Sequence, residues 1–407
     1  LINEIKVSSE IGKLKAVLVH RPGPELDHLV PRYLENLLFD EIPWLKRARE
    51  EHDDFVEALG TLGAQVYYTE KLVEEIIEDK SLKEELINEH LKFSTLFDKE
   101  VKRIVHDYIM GLDNKTAVET IIAGLSKDTV RDLKSETSFS DLTMKSYPFY
   151  LDPMPSMYFT RDHGTVINKG LLVSQMFNFA RRRETIFLRF LHKNHPLFKN
   201  LNTPLWFEGE IPTGIEGGDV LVLNKDTLII GFSERTTESA IESVAHMLLI
   251  EKEELKQIIV IEIPAKRAYM HLDTVFTVID YDKFIIYPGI KNSIHTYRLY
   301  PGKNGNVRAK AEESLEHTLS DCLGLSSVKI INSGGDNSIT AAREQWSDST
   351  NTFVIAPGSI ITYNRNEETN KILRNLGLNV IEVEASELVR GRGGPHCMTM
   401  PLLREDI

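Results

Sequence analysis

Short runs of β-type residues punctuate this chain from one end to the other. Residues 16–20, 64–68, 171–173, 219–223, 228–230, 258–261, 275–278, 284–287, 328–331 and 353–355 are dominated by valine, isoleucine, leucine and aromatic residues. Runs of this length between turn residues predict strands. Helical stretches separate several of them, such as residues 237–249 and 309–323. Strands alternating with helices predict an α/β class. The connectors are short and no linker stands out, so the strands read as one body.

One stretch departs from this texture. No proline lies between Pro43 and Pro148, although the chain has 16. Residues 71–135 read as successive short helices: Leu82, Leu86 and Ile87 recur at helical spacing, as do Val101, Ile104, Val105 and Tyr108. Ser81 with Glu84, and Thr116 with Glu119, have the capping-box form, and Gly111 and Gly124 are suitable helix stops. The expected organisation is residues 1–70 and 148–407 as the catalytic α/β body, with 71–147 as an inserted helical domain. Its charges alternate in sign, as on a solvated face.

A weak repeat runs through the body. Glu216-Gly217-Gly218-Asp219 introduces a β run, Ser333-Gly334-Gly335-Asp336 recurs at what reads as a similar junction, and Gly393-Gly394 is a third paired glycine. Junctions roughly 55–65 residues apart allow about five units, as in a propeller.

Composition narrows the partners. The chain has 407 residues, is 42% hydrophobic and carries a formal charge of −13. That core is ample. The acidity argues against nucleic acid or an anionic membrane surface and suits a small cationic ligand. No apolar stretch approaches the roughly 18 residues that span a bilayer. The first residues show no basic-then-apolar signal pattern, and there are only two cysteines, so a reduced, cytoplasmic compartment is expected.

The chemistry is carried by polar residues at the edges of the β runs. Cys397 follows Gly391-Arg392-Gly393-Gly394-Pro395-His396, where glycines shape a tight backbone. Arg390, Arg392 and His396 are positive neighbours that favour a thiolate. The residue is either a nucleophile or a packing cysteine; Cys322 has the plainer setting for the latter. His271 and Asp273, two apart ahead of a β run, would share one face of a strand. A pair of surface residues fits the same pattern, and a metal site is disfavoured because no second histidine stands at ligand spacing. Glu216 and Asp219 flank paired glycines, and Phe159-Thr160-Arg161-Asp162 reads alone as an exposed Arg–Asp pair. Arg181 and Arg235 add positive charge. A site with carboxylates at one end and arginines at the other suits a zwitterion with a cationic tail, such as arginine.

Taken together, Asp162 in FTRD, Glu216 and Asp219 in EGGD, His271 and Asp273 in MHLDT, and Cys397 in GRGGPHCMTMP resemble the arginine deiminase family, in the bacterial form similar to the mycoplasma enzymes. The resemblance covers essentially the whole chain. It implies a fivefold pseudosymmetric α/β propeller of ββαβ-type units with an inserted helical domain. It implies hydrolysis of L-arginine to citrulline and ammonia, no metal or organic cofactor, and a homodimer. By resemblance, Cys397 is the nucleophile and His271 the general acid and base. Asp162 and Asp273 grip the guanidinium and Glu216 assists. Arg181 and Arg235 bind the α-carboxylate, Arg392 belongs to a mobile loop, Asp219 supports from behind and Phe159 walls the pocket. Ser156 stands where relatives often have asparagine, and His163-Gly164 follows Asp162 unexpectedly. The alternatives are a sister hydrolase acting on agmatine or a methylated arginine, and an inactive binding protein on the same fold.

Overall fold

A computed structural model describes residues 2–94, 98–134, 147–208 and 213–407. Five sheets in it share one pairing pattern. In the first, β1 (Leu14–Val19) pairs antiparallel with β19 (Met400–Arg404) and parallel with β2 (Gln65–Tyr68). The same antiparallel-then-parallel order joins β5 (Gly164–Ile167), β6 (Gly170–Val173) and β7 (Leu205–Glu208). It recurs in β8 (Val220–Asn224), β9 (Thr227–Phe232) and β10 (Gln257–Glu262). It recurs again in β11 (Phe276–Asp280), β12 (Lys283–Ile286) and β15 (Lys329–Asn332), and in β16 (Phe353–Ala356), β17 (Ser359–Tyr363) and β18 (Asn379–Val383).

A parallel pair needs a crossover, commonly a helix. Here α1 (Leu45–Gly60) spans β1 to β2. After it in chain order come α2 (Thr69–Ile76), α3 (Lys80–Lys92), α4 (Lys99–Gly111) and α5 (Asn114–Ala123). The remaining crossovers are α6 (Glu184–Asn194), α7 (Glu238–His246), α8 (Leu315–Leu323) and, past α9 (Ser338–Trp346), α10 (Glu367–Asn375). A hairpin of β13 (His295–Pro301) and β14 (Val307–Glu312) extends the third sheet from the edge of β10. The short pair β3 (Leu125–Ser126) and β4 (Phe149–Leu151) stands apart. No described helix is long and apolar enough to cross a membrane.

The apolar runs are explained by two-sided burial. Along β9 and β10, Leu228, Ile230, Ile258 and Val260 enter the core beneath α6 and α7, while Ile229, Ile259 and Ile261 enter another. Alternate side chains of a strand leave on opposite faces, so a strand covered on both sides is apolar throughout.

The helices from α2 to α5 do not form a separate core. Leu86, Ile87, Val101, Ile104 and Val105 pack in the same cluster as Ile186, Phe187 and Phe190 of α6. The predicted stretch also contains residues 95–97 and 135–146, which lie outside the described residues. The caps of α3 and α5 differ from the capping-box reading. Asp79 and Asp113, not Ser81 and Thr116, cap α3 and α5 by accepting from Ser81 N and Thr116 N. An earlier carboxylate satisfies these free N–H groups and favours the positive helix end. Asp98 caps α4, accepting from Glu100 N at 2.9 Å and Val101 N at 3.2 Å. Asp98→Ala is expected to cost about 1 kcal/mol in urea unfolding, and exposed Glu84→Ala about 0.5 kcal/mol or less.

Two further expectations need correction. The helix expected over 309–323 starts only at Leu315, because residues 307–312 are taken by the register with β13; pairing at a sheet edge overrides local propensity. Ser333–Asp336 is not a second copy of Glu216–Asp219. It follows β15 and leads into α9, whereas Glu216–Asp219 leads into β8. The positions equivalent to the latter are the segments entering the first strand of each sheet. They hold Asp162 before β5, Glu216 before β8, His271 and Asp273 before β11, Asn351 before β16, and Cys397 before β19.

Candidate active site

These five lead-in segments meet in one buried constellation. Cys397 is 3% exposed, and its Sγ lies 3.3 Å from Asp273 Oδ2 and 3.1 Å from Asn351 Nδ2. The loop before it runs against Phe159, Tyr158 and Asn351; a Cβ on Gly394 would stand 2.9 Å from Asn351 atoms. Asp273 Oδ2 also accepts from His396 Nδ1 at 2.8 Å. His396 in turn faces Glu10 at 3.4 Å, and Glu10 pairs with Arg161 at 3.4 Å.

The positive neighbours expected to favour a thiolate are engaged elsewhere. Arg390 pairs with Glu41 and, at 3.0 Å, with Glu387. Arg392 adopts a left-handed φ of 66° and stacks 3.3 Å from the centre of the Trp346 ring. Burial, then the carboxylates of Asp273, Asp162 and Asp348, push the Cys397 thiol well up. The free site therefore holds a protonated thiol among carboxylates. Asp348 has no hydrogen-bond partner for either oxygen, and burial lifts it to about 7.

His271 sits in the second half of the site. Its Nε2 meets Glu216 Oε2 at 2.8 Å, and its Nδ1 lies 3.6 Å from Asp162 Oδ1. Burial opposes the charge, but Asp162 and Glu216 outweigh it and raise His271 to about 9. Burial likewise opposes the Glu216 carboxylate; His271, Arg235 and Arg181 hold it down at about 2. Gly218 makes this contact possible: a Cβ there would stand 2.7 Å from His271 Nδ1. His271 and Asp273 do not share a strand face. Leu272–Thr274 is a helical turn, and β11 begins only at Phe276. The turn sends His271 to Glu216 and Asp273 to Cys397.

The remaining expected residues divide. Arg181 bonds Asp162 Oδ2 at 2.8 Å, lies 3.7 Å from Glu216 and also bonds Glu184. Among the described residues the Arg235 side chain makes one hydrogen-bond contact, 3.7 Å from the Met270 sulfur, and its Nε has no partner. Among the described residues, neither Arg235 nor Arg392 has an ion pair. Asp219 is tied to its own shell: it accepts from Ser233 Oγ at 2.6 Å, Thr236 Oγ1 at 2.7 Å and Leu272 N at 2.7 Å. Burial raises it to about 7. Arg161 is 1% exposed and faces Glu10, so the surface Arg–Asp pair is not formed. His163 meets Glu184 at 3.3 Å and Ser156 is buried.

Besides both oxygens of Asp348, Asp162 Oδ1 and Asp273 Oδ1 are buried without a hydrogen-bond partner, the former having only His271 Nδ1 at 3.6 Å. Such groups are costly unless a cation or donor completes them. Asp162, Glu216 and His271 could together hold a metal, their ligand atoms lying within 4.8 Å of one another. The Arg181 guanidinium already neutralises two of these groups, so a metal would compete with a fixed internal cation. Cavities of about 550 and 390 Å³ elsewhere are lined by other residues.

Sequence reasoning missed Asn351 and Glu10. Asn351 lies in Ser347-Asp348-Ser349-Thr350-Asn351-Thr352, a run without glycine pair or histidine that resembles a surface loop, yet Asn351 is fully buried. Its only available signal was position, as a polar residue leading into a β run.

A family model described as "Arginine deiminase" matches residues 35–404. Arginine deiminase of Bacillus cytotoxicus is 44% identical over 407 residues, covering 99% of each chain. That of Staphylococcus epidermidis is 45% identical over 412 residues, again covering 99% of each. Solved structures similar in fold include an adduct of dimethylarginine dimethylaminohydrolase with S-methyl-L-thiocitrulline, 15% identical, with a TM-score of 0.52 and covering 95% of this chain and 99% of that one. The N-terminal domain of ArgZ bound covalently to a reaction intermediate is 13% identical, with a TM-score of 0.54 and covering 96% and 98%.

Proposed function

The chain belongs to the arginine deiminase family, and on that premise we propose how its residues hydrolyse L-arginine to L-citrulline and ammonia. The observation that carries the reading is the pair of unpartnered buried oxygens of Asp162 and Asp273 beside a buried cysteine. A guanidinium supplies N–H donors in the plane such carboxylates require.

The substrate cation takes these oxygens and neutralises the field that holds the Cys397 proton. The thiol then ionises, its proton leaving by way of Asp273 Oδ2. The thiolate adds to the guanidinium carbon. His271, charged at neutral pH, gives its proton to the departing nitrogen, which leaves as ammonia. A covalent amidino-thioester remains on Cys397. Neutral His271 then takes a proton from water, the hydroxide adds to the same carbon, and the C–S bond breaks as the new hydroxyl gives its proton to the departing sulfur, leaving citrulline and the restored Cys397 thiol. Asp162 and Glu216 stay charged throughout and hold the cation in place, while Asp273 carries the thiol's proton in passing, releases it to solvent and then holds the cation with them.

At the other end, Arg235 and Arg392 lack ion pairs and are proposed to read the α-carboxylate. Arg181 is proposed to join them by exchanging Asp162 for that carboxylate as the substrate guanidinium takes its place. Phe159 walls the site, and Asp219 fixes the turn that carries His271. The site is closed, each of its groups being less than a tenth exposed, so the loop carrying Arg392 is proposed to move for entry.

The five matching sheets, closed by β19 on β1, support a fivefold propeller of ββαβ units with residues 71–147 inserted in it. A homodimer is the proposed assembly, twofold pairs being the commonest closed form. Stoichiometric release of citrulline and ammonia from L-arginine tests the activity; no release from folded protein removes it.

The pH profile tests His271. Its folded value of about 9 lies above the ordinary 6.5. The imidazolium and the stability it contributes are therefore fully present below about 6.5 and are lost as pH rises through about 9. kcat/KM is expected to fall about tenfold per pH unit beyond that point. Arginine's own α-amino group titrates nearby, so the comparison with Glu216→Gln is decisive. That variant removes a partner holding the proton and should move the limb to lower pH. An unmoved limb contradicts the assignment.

A further inference from the structure

Asn351 is the polar residue of the one lead-in segment to which no chemistry has been given. Its amide uses its full bonding capacity. Oδ1 accepts from Cys397 N at 2.9 Å and Gly394 N at 3.1 Å, while Nδ2 donates to Asp273 O at 3.1 Å and Cys397 Sγ at 3.1 Å. Its own carbonyl accepts from His396 N at 3.2 Å. An asparagine amide has two donors and two acceptor lone pairs. A flipped amide would set its NH₂ against two backbone N–H donors, so the network fixes which end faces the sulfur.

The groups around that sulfur are otherwise acidic. Asp273 touches it, and Asp162 and Asp348 act on it through space. His396 faces Asp273 rather than Sγ. When the S–H proton leaves, Asp273 changes from acceptor to repelling neighbour. The Asn351 N–H is the remaining donor recorded at Sγ among the described residues.

We propose that Asn351 is a catalytic residue: its Nδ2–H stabilises the Cys397 thiolate while its Oδ1 holds the nucleophile's backbone in register. This rests on Cys397 being the nucleophile. The amide makes no bond to the substrate's charged groups in this account, so its effect falls on kcat. No proton is transferred to or from it.

The test compares wild type, Asn351→Ala and Cys397→Ala. Asn351→Ala is expected to lower kcat about 10- to 100-fold, the worth of a hydrogen bond to a charged group, with KM little changed. At fixed pH, alkylation of Cys397 by iodoacetamide should slow about tenfold, because fewer thiols are ionised. Alkylation of Cys322 serves as the internal control and should not change. A residue that only anchored the loop would, when removed, expose the thiol, and alkylation would be as fast or faster; that result overturns the proposal, as does an unchanged kcat. An active Cys397→Ala would instead overturn the nucleophile assignment itself. If Asn351→Ala does not fold, wild-type protein labelled with ¹⁵N-asparagine gives the answer. The Asn351 side-chain signals should titrate together with the Cys397 alkylation rate, and flat signals overturn the proposal.

Discussion

Cys397→Ser is expected to lower kcat on L-arginine by roughly four orders of magnitude or more, while Cys322→Ser keeps most of the activity. The oxygen nucleophile would need a base to lose its proton, and among the described residues the acceptor at this position is Asp273, whose carboxylate is held below its ordinary range: burial opposes this, and the hydrogen bond and charge of His396, with further donors, outweigh it. Sulfur ionises far more readily once a cation sits between the carboxylates. Cys322 has no comparable surroundings. It is half-buried in α8, accepts from Gln257 Nε2 at 3.4 Å, and burial lifts its thiol to about 11. Melting temperatures of both variants should match wild type closely enough to exclude unfolding. Substantial turnover by folded Cys397→Ser would contradict covalent catalysis.

Arg235→Ala is expected to cost about 10- to 150-fold in kcat/KM on L-arginine, from the roughly 1.5–3 kcal/mol of one charge-assisted hydrogen bond. Arg235 is 4% exposed and forms no ion pair among the described residues, Glu216 feeling its charge only at longer range. A buried unpaired cation is expensive unless a ligand completes it. Agmatine has the guanidinium and lacks the carboxylate, so it leaves that cation unpaired and should be a very poor substrate of wild type. Arg235→Ala should narrow the preference for arginine over agmatine, because the loss falls on arginine alone. The measurement is citrulline formed from arginine against carbamoylputrescine formed from agmatine, for both proteins at one pH. Equal turnover of the two substrates by wild type would move the assignment to a sister hydrolase.

What the sequence disclosed followed from how directly each feature is written into it. Long apolar strands covered on both faces, such as β8 and β9, are legible in the sequence, whereas β5, β17 and β19 are equally buried but begin at glycine, serine or a Met-Pro step and are not. Strands whose burial is partial, such as β13, β14 and β18, carry mixed residues and are not legible either. The polar motifs at Asp162, Glu216, His271 and Cys397 were visible because each pairs a chemical group with a distinctive neighbour. Their geometry was not. His271 and Asp273 reach different partners because a helical turn replaces the expected strand. The thiolate inferred from nearby arginines fails because neither Arg390 nor Arg392 points at the sulfur: Arg390 pairs with Glu41 and Glu387, and Arg392 stacks on Trp346. Sequence distance does not convey side-chain direction. Asn351 and Glu10 escaped notice because they gain meaning only from residues far away in the chain, Cys397 and Arg161 respectively.

The central claim is a covalent bond from the reacting carbon to Cys397. Intact-mass spectrometry on enzyme acid-quenched during the first turnover of L-arginine tests it most directly. A single amidino-thioester adduct should appear, map to the peptide containing Cys397, and be absent from Cys397→Ala. Citrulline forming with no adduct on any rapid-quench timescale, or an adduct located on Cys322, would contradict it.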